Sequence, residues 1–172
     1  MIERSELKVI PAVEAGPDFE AFFRAEYERL FHALYLLTAD TYEADDVAQD
    51  ALLRAYERWD RIRSMESPVG YVYRTALNLY RSRLRKLAVG ARRVFAAIPS
   101  DDISGSVAAR HDVHQALAAL PRGQQEALIL VEWLGLDSGE AGRILGIDAS
   151  SVRGRVHRGR ISLRERLGDA DE

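Results

Sequence analysis

Four arginines and a histidine crowd into GIDASSVRGRVHRGR, the fifteen residues from Gly146 to Arg160, behind a pair of serines. Guanidinium groups neutralise phosphates or fork onto guanine, and polar groups in the first turn of a helix can meet phosphate or base edges. This pattern indicates DNA recognition. The candidate contacts are Ser150, Ser151, Arg153, Arg155, His157, Arg158 and Arg160.

Two short helices are needed to position these groups. DSGEAGRILG predicts the first helix and Gly146 predicts a turn; either Asp148 or Ser150 can cap the second helix. Helix, glycine turn and helix form a helix-turn-helix, whose second member enters the DNA major groove. We predict an inward face formed by Ile144, Leu145, Ile147, Val152, Val156 and Ile161.

A basic amphipathic helix on a protein or membrane surface is the alternative interpretation of this stretch. Three glycines bear on the choice. Gly154 and Gly159 count against a stable helix, since each costs about 1 kcal/mol relative to alanine. Gly142 is predicted to lie where the two helices approach closely and only a small residue fits.

A second basic segment runs from Tyr71 to Val94, with seven basic residues and no acidic one in a chain of net charge −3. Tyrosines lie among its arginines, and we expect at least one of them to be a core residue. Aromatic rings stack on unpaired bases while cations hold the backbone, so the segment suits binding to single-stranded nucleic acid. Its candidates are Tyr71, Tyr73, Arg74, Arg81, Arg83 and Arg85, with Tyr80 as a third tyrosine.

Carboxylates gather at Asp45, Asp46 and Asp50, with Gln49 between them. Paired carboxylates can serve acid–base catalysis or bind a metal ion. Carboxylates spaced along one helix, with no histidine nearby, are more typical of a solvated face. This cluster therefore predicts a surface and not a catalytic centre.

Composition excludes several other classes of protein. The 172 residues are 47% hydrophobic and 30% charged and include no cysteine, which excludes disulfides and thiolate sites. His111 and His114 lack further metal ligands, and no nucleotide-binding or hydrolase motif occurs. We predict no enzyme activity, no cofactor and no metal site. With no signal sequence and no apolar run of roughly 20 residues, we expect a cytoplasmic protein without membrane insertion.

Helical periodicity dominates the chain and predicts an all-α fold. Besides the helix-turn-helix, the expected helices lie at 19–37, 43–59, 69–87, 111–120 and 124–134. The segment AAIPSDDISGS has the proline, glycine and serine content of a linker. The predicted organisation is an N-terminal domain over 17–88, a flexible linker over 89–110 and a C-terminal domain over 111–168.

Three segments resemble parts of bacterial sigma factors, in the order in which that family has them. YEADDVAQDALLRAYERWD is similar to the segment that binds the RNA polymerase clamp, and SPVGYVYRTALNLYRSRLRK to the helix that melts and reads the downstream (−10) promoter element. The chain from Val113 to Leu167 resembles the domain that binds the upstream (−35) element. The resemblance covers most of the chain and indicates the two-domain extracytoplasmic function group of the sigma-70 family.

The resemblance implies a promoter-specificity subunit that binds promoter DNA and core RNA polymerase, at the clamp of the largest subunit and the flap of the second-largest. It also implies an anti-sigma factor as a further partner. Asn78 falls at a base-pocket position, whereas Tyr71 stands in place of a tryptophan and Thr75 in place of an aliphatic residue. The implied polymerase contacts are Asp45, Asp46, Val47, Gln49, Asp50 and Leu53, with Leu52 as further apolar surface.

Two other functions fit parts of the pattern. A stand-alone helix-turn-helix regulator would bind operator DNA as a dimer, but it has no use for the acidic helix. An α-helical adaptor would place its basic helices on acidic protein or lipid, but this does not explain the aromatic residues within the basic segment.

Overall fold

The computed structural model describes residues 17–91 and 107–168, and every regular element in these ranges is helical. The prediction of an all-α fold is confirmed. The N-terminal unit consists of α1 (Pro17–Thr38), α2 (Thr41–Tyr56), α3 (Trp59–Ile62) and α4 (Pro68–Ala91). The C-terminal unit consists of α5 (Val107–Ala118), α6 (Arg122–Leu128) with a π-helical turn after it (Ile129–Trp133), α7 (Ser138–Leu145) and α8 (Ala149–Gly168).

Aromatic packing explains where α2 ends. The sequence predicts one helix over 43–59, but α2 ends at Tyr56 and Trp59 opens the separate helix α3. The Phe19 ring lies 5.0 Å from the Tyr56 ring and 5.2 Å from the Trp59 ring, centre to centre. The break between α2 and α3 therefore lets two aromatic side chains enclose Phe19.

Small residues allow α2 to pack closely in the N-terminal unit. Ala44, Ala48, Ala51 and Ala55 recur at three- and four-residue steps and are fully buried. Helix α2 contacts both α1 and α4, and small side chains allow such close approach. The larger buried residues of this unit include Leu30, Leu34, Val47, Leu52, Ile62 and Val72.

The two units share one hydrophobic core. Helix α4 packs on α7, and α1 packs on both α5 and the π-helical turn. The predicted linker over 89–110 overlaps the end of α4 and the start of α5, while residues 92–106 lie outside the described ranges. None of the helices within the described ranges is long and apolar enough to cross a bilayer.

Candidate nucleic-acid and polymerase interfaces

The turn between α7 and α8 has the geometry of a helix-turn-helix. The Asp137 carboxylate accepts the amides of Gly139 and Glu140, and the Glu140 carboxylate accepts the Asp137 amide, which completes a capping box. Helix α7 ends at Gly146, whose φ of 72° lies in the left-handed region that favours glycine. The predicted glycine turn is therefore present, and its geometry fixes the direction in which α8 begins.

Asp148 caps the start of α8. Its carboxylate accepts the Ser151 amide at 2.7 Å, and the hydroxyls of Ser150 and Ser151 both donate to it. These hydrogen bonds, the one from Ser150 first, hold the pKa of the Asp148 carboxyl well below its usual range. Of the two predicted caps, Asp148 is the one that binds a backbone amide, and both serines are oriented by it.

Two glycines are required where helices touch. A Cβ on Gly142 would lie 2.6 Å from the Ile147 carbonyl oxygen and 3.5 Å from the Ala149 amide nitrogen. The close approach predicted between the two helices is therefore made to the turn and to the first residue of α8. A Cβ on Gly159 would lie 2.7 Å from Cδ1 of Leu128 on α6. Gly159 therefore does not weaken α8 as the sequence suggested, because it is the site at which α8 packs against α6.

One face of α8 is buried and another is open to solvent. Val152 and Val156 pack inward as predicted, but Ile161 is 42% exposed and its assignment to the inner face is wrong. Ile161 lies beyond Gly159, where α8 has passed its packing contact with Leu128. Four exposed residues that follow the Asp148 cap form what we name the α8 face: Ser150, Arg153, His157 and Arg158.

The other two arginines of this stretch contact the rest of the C-terminal unit. Arg155 is half-buried, with its guanidinium against Gly123 on α6. Arg160 is exposed and forms an ion pair with Glu132 of the π-helical turn. Within the described ranges, Arg153 and Arg158 make no ion pair. The cations of α8 are therefore mostly uncompensated by local carboxylates.

The tyrosines of α4 divide between core and surface. Tyr73 and Tyr80 are buried, and the Tyr80 hydroxyl donates to the Leu37 carbonyl at 3.0 Å. Burial raises the pKa of both phenols. Tyr71 is half-buried and its carbonyl accepts the Thr75 hydroxyl at 2.8 Å. Tyr73 therefore positions α4 within the core, and its ring is not exposed for stacking in this arrangement.

Three polar residues of α4 form an exposed stripe. Arg74, Asn78 and Arg85 are spaced by four and seven residues, which places them on one side of a helix, and all three are exposed. We name this stripe the α4 face. It combines two cations with an amide that can both donate and accept hydrogen bonds.

The remaining arginines of α4 are paired with carboxylates. Arg81 forms two hydrogen bonds to Glu126 on α6, from Nε to Oε1 at 2.8 Å and from Nη2 to Oε2 at 2.5 Å. Arg83 reaches α2, where it pairs with Asp46, with Asp50 at 2.6 Å and with Glu43 at 3.4 Å. Two of the predicted DNA contacts are therefore internal ion pairs in this arrangement.

The predicted polymerase contacts on α2 include side chains that are buried in the core and side chains that lie at the surface. Val47, like Leu52, is buried against α1 and α4 and has no side chain to offer a partner. The Asp45 carboxylate accepts the Tyr27 hydroxyl and, at 2.9 Å, the Gln49 amide. The hydrogen bond to Asp45, with burial, raises the pKa of the Tyr27 phenol. Asp45 is thus held by its neighbours, and it orients Gln49.

An exposed stripe on α2 includes Tyr42, which is not among the contacts predicted from the sequence. Tyr42 is 86% exposed and Leu53 is 53% exposed, and Asp46 and Gln49 lie between them on the same side. Their spacing of four, three and four residues is the helical signal that could have found Tyr42. We name these four residues the α2 stripe. It has an apolar side chain at each end and polar groups in its centre.

The side chain of His111 lies outside the described part of the chain, and His114 takes part in no metal site there. Within residues 17–91 and 107–168, no three histidine, aspartate or glutamate side chains converge as ligands. The His114 ring instead lies edge-on to the Tyr35 ring, with 4.8 Å between centres. This contact joins α5 to α1.

Two family models match successive parts of the chain. The one described as Sigma-70 region 2 matches residues 22–89, and the one described as Sigma-70, region 4 matches residues 110–163. The ECF RNA polymerase sigma factor SigM of Mycobacterium tuberculosis is 31% identical over 170 residues, which cover 96% of this chain and 86% of that protein. The RNA polymerase sigma-E factor of Streptomyces coelicolor is 29% identical over 152 residues, which cover 87% of this chain and 86% of that protein.

Two solved structures share the fold. A sigma factor RpoE, determined in complex with the anti-sigma factor NepR from Bartonella quintana, has a TM-score of 0.77 at 24% identity, covering 88% of this chain and 97% of that one. CnrH, determined in complex with the cytosolic domain of CnrY, has a TM-score of 0.66 at 24% identity, covering 90% of this chain and 89% of that one.

Proposed function

Because the chain belongs to the extracytoplasmic function group of the sigma-70 family, and so is an RNA polymerase sigma factor, we propose that its three exposed surfaces divide the work of initiation. The α2 stripe binds core polymerase, the α4 face binds the downstream promoter element and the α8 face binds the upstream element. The observation that carries this division is that both sigma-70 regions lie on one chain, and that each presents its own exposed surface. An operator-binding regulator has no need of the N-terminal unit and is not favoured.

The α2 stripe suits a protein partner. Exposed aromatic and aliphatic side chains such as Tyr42 and Leu53 serve as anchors when a partner buries them. Between these anchors, the Asp46 carboxylate is held by Arg83, so less side-chain freedom is lost when a cationic partner group approaches. We assign this stripe to the clamp of the largest polymerase subunit, and the C-terminal unit to the flap of the second-largest.

The α4 face suits single-stranded DNA. The Asn78 amide matches the edge of an unpaired base with one donor and one acceptor group, while Arg74 and Arg85 on either side can hold phosphates. Tyr71 is the remaining tyrosine with exposed ring surface and is our candidate for stacking. Tyr73 and Tyr80 support this face from the core.

The α8 face suits duplex DNA. The first turn of α8, from Ser150 to Arg153, carries the polar groups that enter a major groove first. We keep Arg155 as a base contact, which requires its guanidinium to leave its position beside Gly123. Arg158 lies a turn later, where the backbone is the nearer partner. Arg160 is partly neutralised by Glu132 and contributes less.

The same assignment makes this chain a binding protein and not an enzyme. Its targets, core polymerase and promoter DNA, place its action in the cytoplasm. One structural relative was determined with an anti-sigma factor. We therefore include an anti-sigma factor among the partners of this chain.

Binding to core polymerase tests the proposal. We expect Leu53→Glu, and Asp46→Arg combined with Gln49→Ala, to abolish co-elution with core polymerase, because each places a charge where an anchor or an attractive charge is needed. The double variant also alters the environment of Arg83, whereas Leu53→Glu leaves that ion-pair cluster intact. Asp60→Arg on α3 is the matched control, since it reverses a fully exposed carboxylate away from the stripe.

Run-off transcription on genomic fragments completes the test. The unaltered chain and Asp60→Arg should start transcription at the same promoters, and Leu53→Glu should start none while still binding duplex DNA through α8. Normal co-elution and transcription by Leu53→Glu would contradict the assignment of the α2 stripe. Operator-type binding with no effect on polymerase would favour the stand-alone regulator.

A further inference from the structure

The contact between the two units contains a buried ion pair. Arg81 of α4 and Glu126 of α6 are 45 residues apart in sequence and meet through two parallel hydrogen bonds. The Glu126 side chain is 2% exposed and the Arg81 side chain 25%. A carboxylate this buried is strongly unfavourable without its partner, so the pair and the closed arrangement of the two units depend on each other.

Weaker contacts accompany this pair across the same surface. Arg29 of α1 donates from Nη2 to the Leu134 carbonyl at 3.2 Å. The His32 and Trp133 rings lie 6.3 Å apart, centre to centre. Arg29 and His32 are exposed side chains, so these contacts are open to water. The Arg81–Glu126 pair is therefore the main polar contact between the units in the described part of the chain.

The contact surface between the two units also buries a hydroxyl group without a hydrogen-bond partner among the described residues. A cavity of about 10 Å³, at the lower limit for holding one water, lies between the units and is lined by Tyr73, Leu77, Glu126 and Leu130 among others. The Tyr73 hydroxyl is buried and has no hydrogen-bond partner among the described residues. Opening would expose this hydroxyl to water and relieve its desolvation. The closed arrangement is thus held by the shared hydrophobic core and one strong ion pair, and it is opposed by an unsatisfied group.

We propose that the Arg81–Glu126 pair is an autoinhibitory latch. It holds the two units together, in what we call the closed arrangement, and it keeps the guanidinium of Arg81, within the basic segment of α4, from binding DNA. A guanidinium edge engaged by both oxygens of a carboxylate cannot offer that edge to a phosphate. DNA and Glu126 therefore compete for Arg81, and DNA opens the chain because it binds the open form more tightly. This competition rests on the proposed role of α4 in DNA binding, whereas the latch itself does not.

Distances between spin labels on the full chain test the latch. The chain has no cysteine, so Ser64→Cys and Ala119→Cys, at exposed positions in the two units, accept nitroxides at those sites alone. Glu126→Gln keeps the shape of the side chain and removes its charge. We expect it to raise the ratio of open to closed molecules at least about tenfold, equivalent to about 1.4 kcal/mol. The matched control is Glu20→Gln, which breaks an exposed pair with Arg24 inside α1 and should leave the distances unchanged.

Exchanging the charges gives a second measurement. Arg81→Glu combined with Glu126→Arg should restore the closed distance, and either single change should lengthen it. If Glu126→Gln keeps the distance distribution of the unaltered chain, or if the unaltered chain is already mostly open, the latch is overturned while the proposed function stands.

A thymidine oligonucleotide tests the competition. Adding it to the unaltered chain should lengthen the label distance, and Glu126→Gln should bind it several-fold more tightly than the unaltered chain and Glu20→Gln do. Opening by Glu126→Gln without tighter binding would overturn the competition for Arg81, while the α4 face, which does not include Arg81, would keep its assignment to DNA.

Discussion

Helices α4 and α8 are both basic, but the molecule positions them by different means. Helix α8 is held by shape, since Gly159 packs against Leu128 and Gly142 against the turn, and most of its arginines are unpaired within the described ranges. Helix α4 is held in part by charge, since Arg81 and Arg83 reach carboxylates on other helices.

This difference separates two uses of a positive charge. An arginine in an internal ion pair positions a helix and is withdrawn from the field that attracts DNA, whereas an unpaired arginine contributes its full charge to that field. Net charge along the sequence counts both alike. The two basic segments should therefore respond differently to the same substitutions.

The largest effect on stability is expected at Gly142, where close packing against the turn positions α8. Gly142→Ala places a methyl group 2.6 Å from the Ile147 carbonyl oxygen, which backbone movement must relieve. We expect a loss of about 2–4 kcal/mol in the free energy of unfolding, measured by denaturant titration with circular dichroism.

Gly154→Ala is the control for that measurement. Its Cβ would meet only the flexible end of Arg158, at 3.3 Å, so alanine's higher helix propensity should leave stability unchanged or raised by up to about 1 kcal/mol. Equal stability of the two variants would show that shape does not position α8.

The next effect compares Asn78 and Tyr73, two residues of α4 that the sequence predicts as DNA contacts. We expect Asn78→Ala to reduce open complex about tenfold, since base contacts are worth about 1–3 kcal/mol each. Tyr73→Phe removes a buried hydroxyl that has no partner among the described residues, so it should raise stability by up to about 1–3 kcal/mol and leave melting nearly unchanged. Permanganate reactivity of the melted strand measures melting in both variants. A melting defect in Tyr73→Phe as large as that in Asn78→Ala would contradict the core assignment of Tyr73.

Local patterns in the sequence predicted most of the fold and part of the site. Helical periodicity found the helices, and the residues around Gly146 identified the turn because capping and glycine geometry depend on neighbours in sequence. The exposed positions of Arg74, Asn78 and Arg153 follow from the same periodicity. Such signals depend only on residues close together in sequence and not on which helix packs against them.

Contacts between distant segments could not be predicted in this way. Arg83 and Asp46 are 37 residues apart and Arg81 and Glu126 are 45 apart, and nothing in either segment indicates the pairing. The burial of Tyr73 has the same origin, since it depends on which helix packs over it. Tyr42 was missed for a different reason: its helical spacing from Asp46 and Leu53 is a local signal, but the predicted helix began at Glu43, one residue after it.

A smaller effect distinguishes paired from unpaired arginines. Replacing an arginine that neutralises a phosphate reduces the slope of log affinity against log salt concentration by about one unit. We expect this reduction for Arg158→Ala on an upstream-element duplex, with affinity lowered for all sequences alike. Arg83→Ala, measured on a single strand of the downstream element that α4 is proposed to bind, should leave the slope unchanged, because its charge is already balanced by α2. Equal reductions in the two variants would show that Arg83 leaves its ion pairs to bind DNA.

The smallest effect is expected at Arg160, the one arginine of α8 whose pairing with a carboxylate, Glu132, the described structure shows. Both side chains are well exposed, so the pair contributes at most about 1 kcal/mol to stability. Glu132→Gln should therefore scarcely change unfolding, but it frees Arg160 and removes a negative charge near DNA. We expect duplex affinity to rise a few-fold at low salt, with the gain lost at high salt because screening removes it. In an Arg160→Ala background the same substitution should give little gain, since the cation it frees is absent. A full gain in that background would mean that Glu132 acts through its own repulsion of phosphate and not by pairing with Arg160.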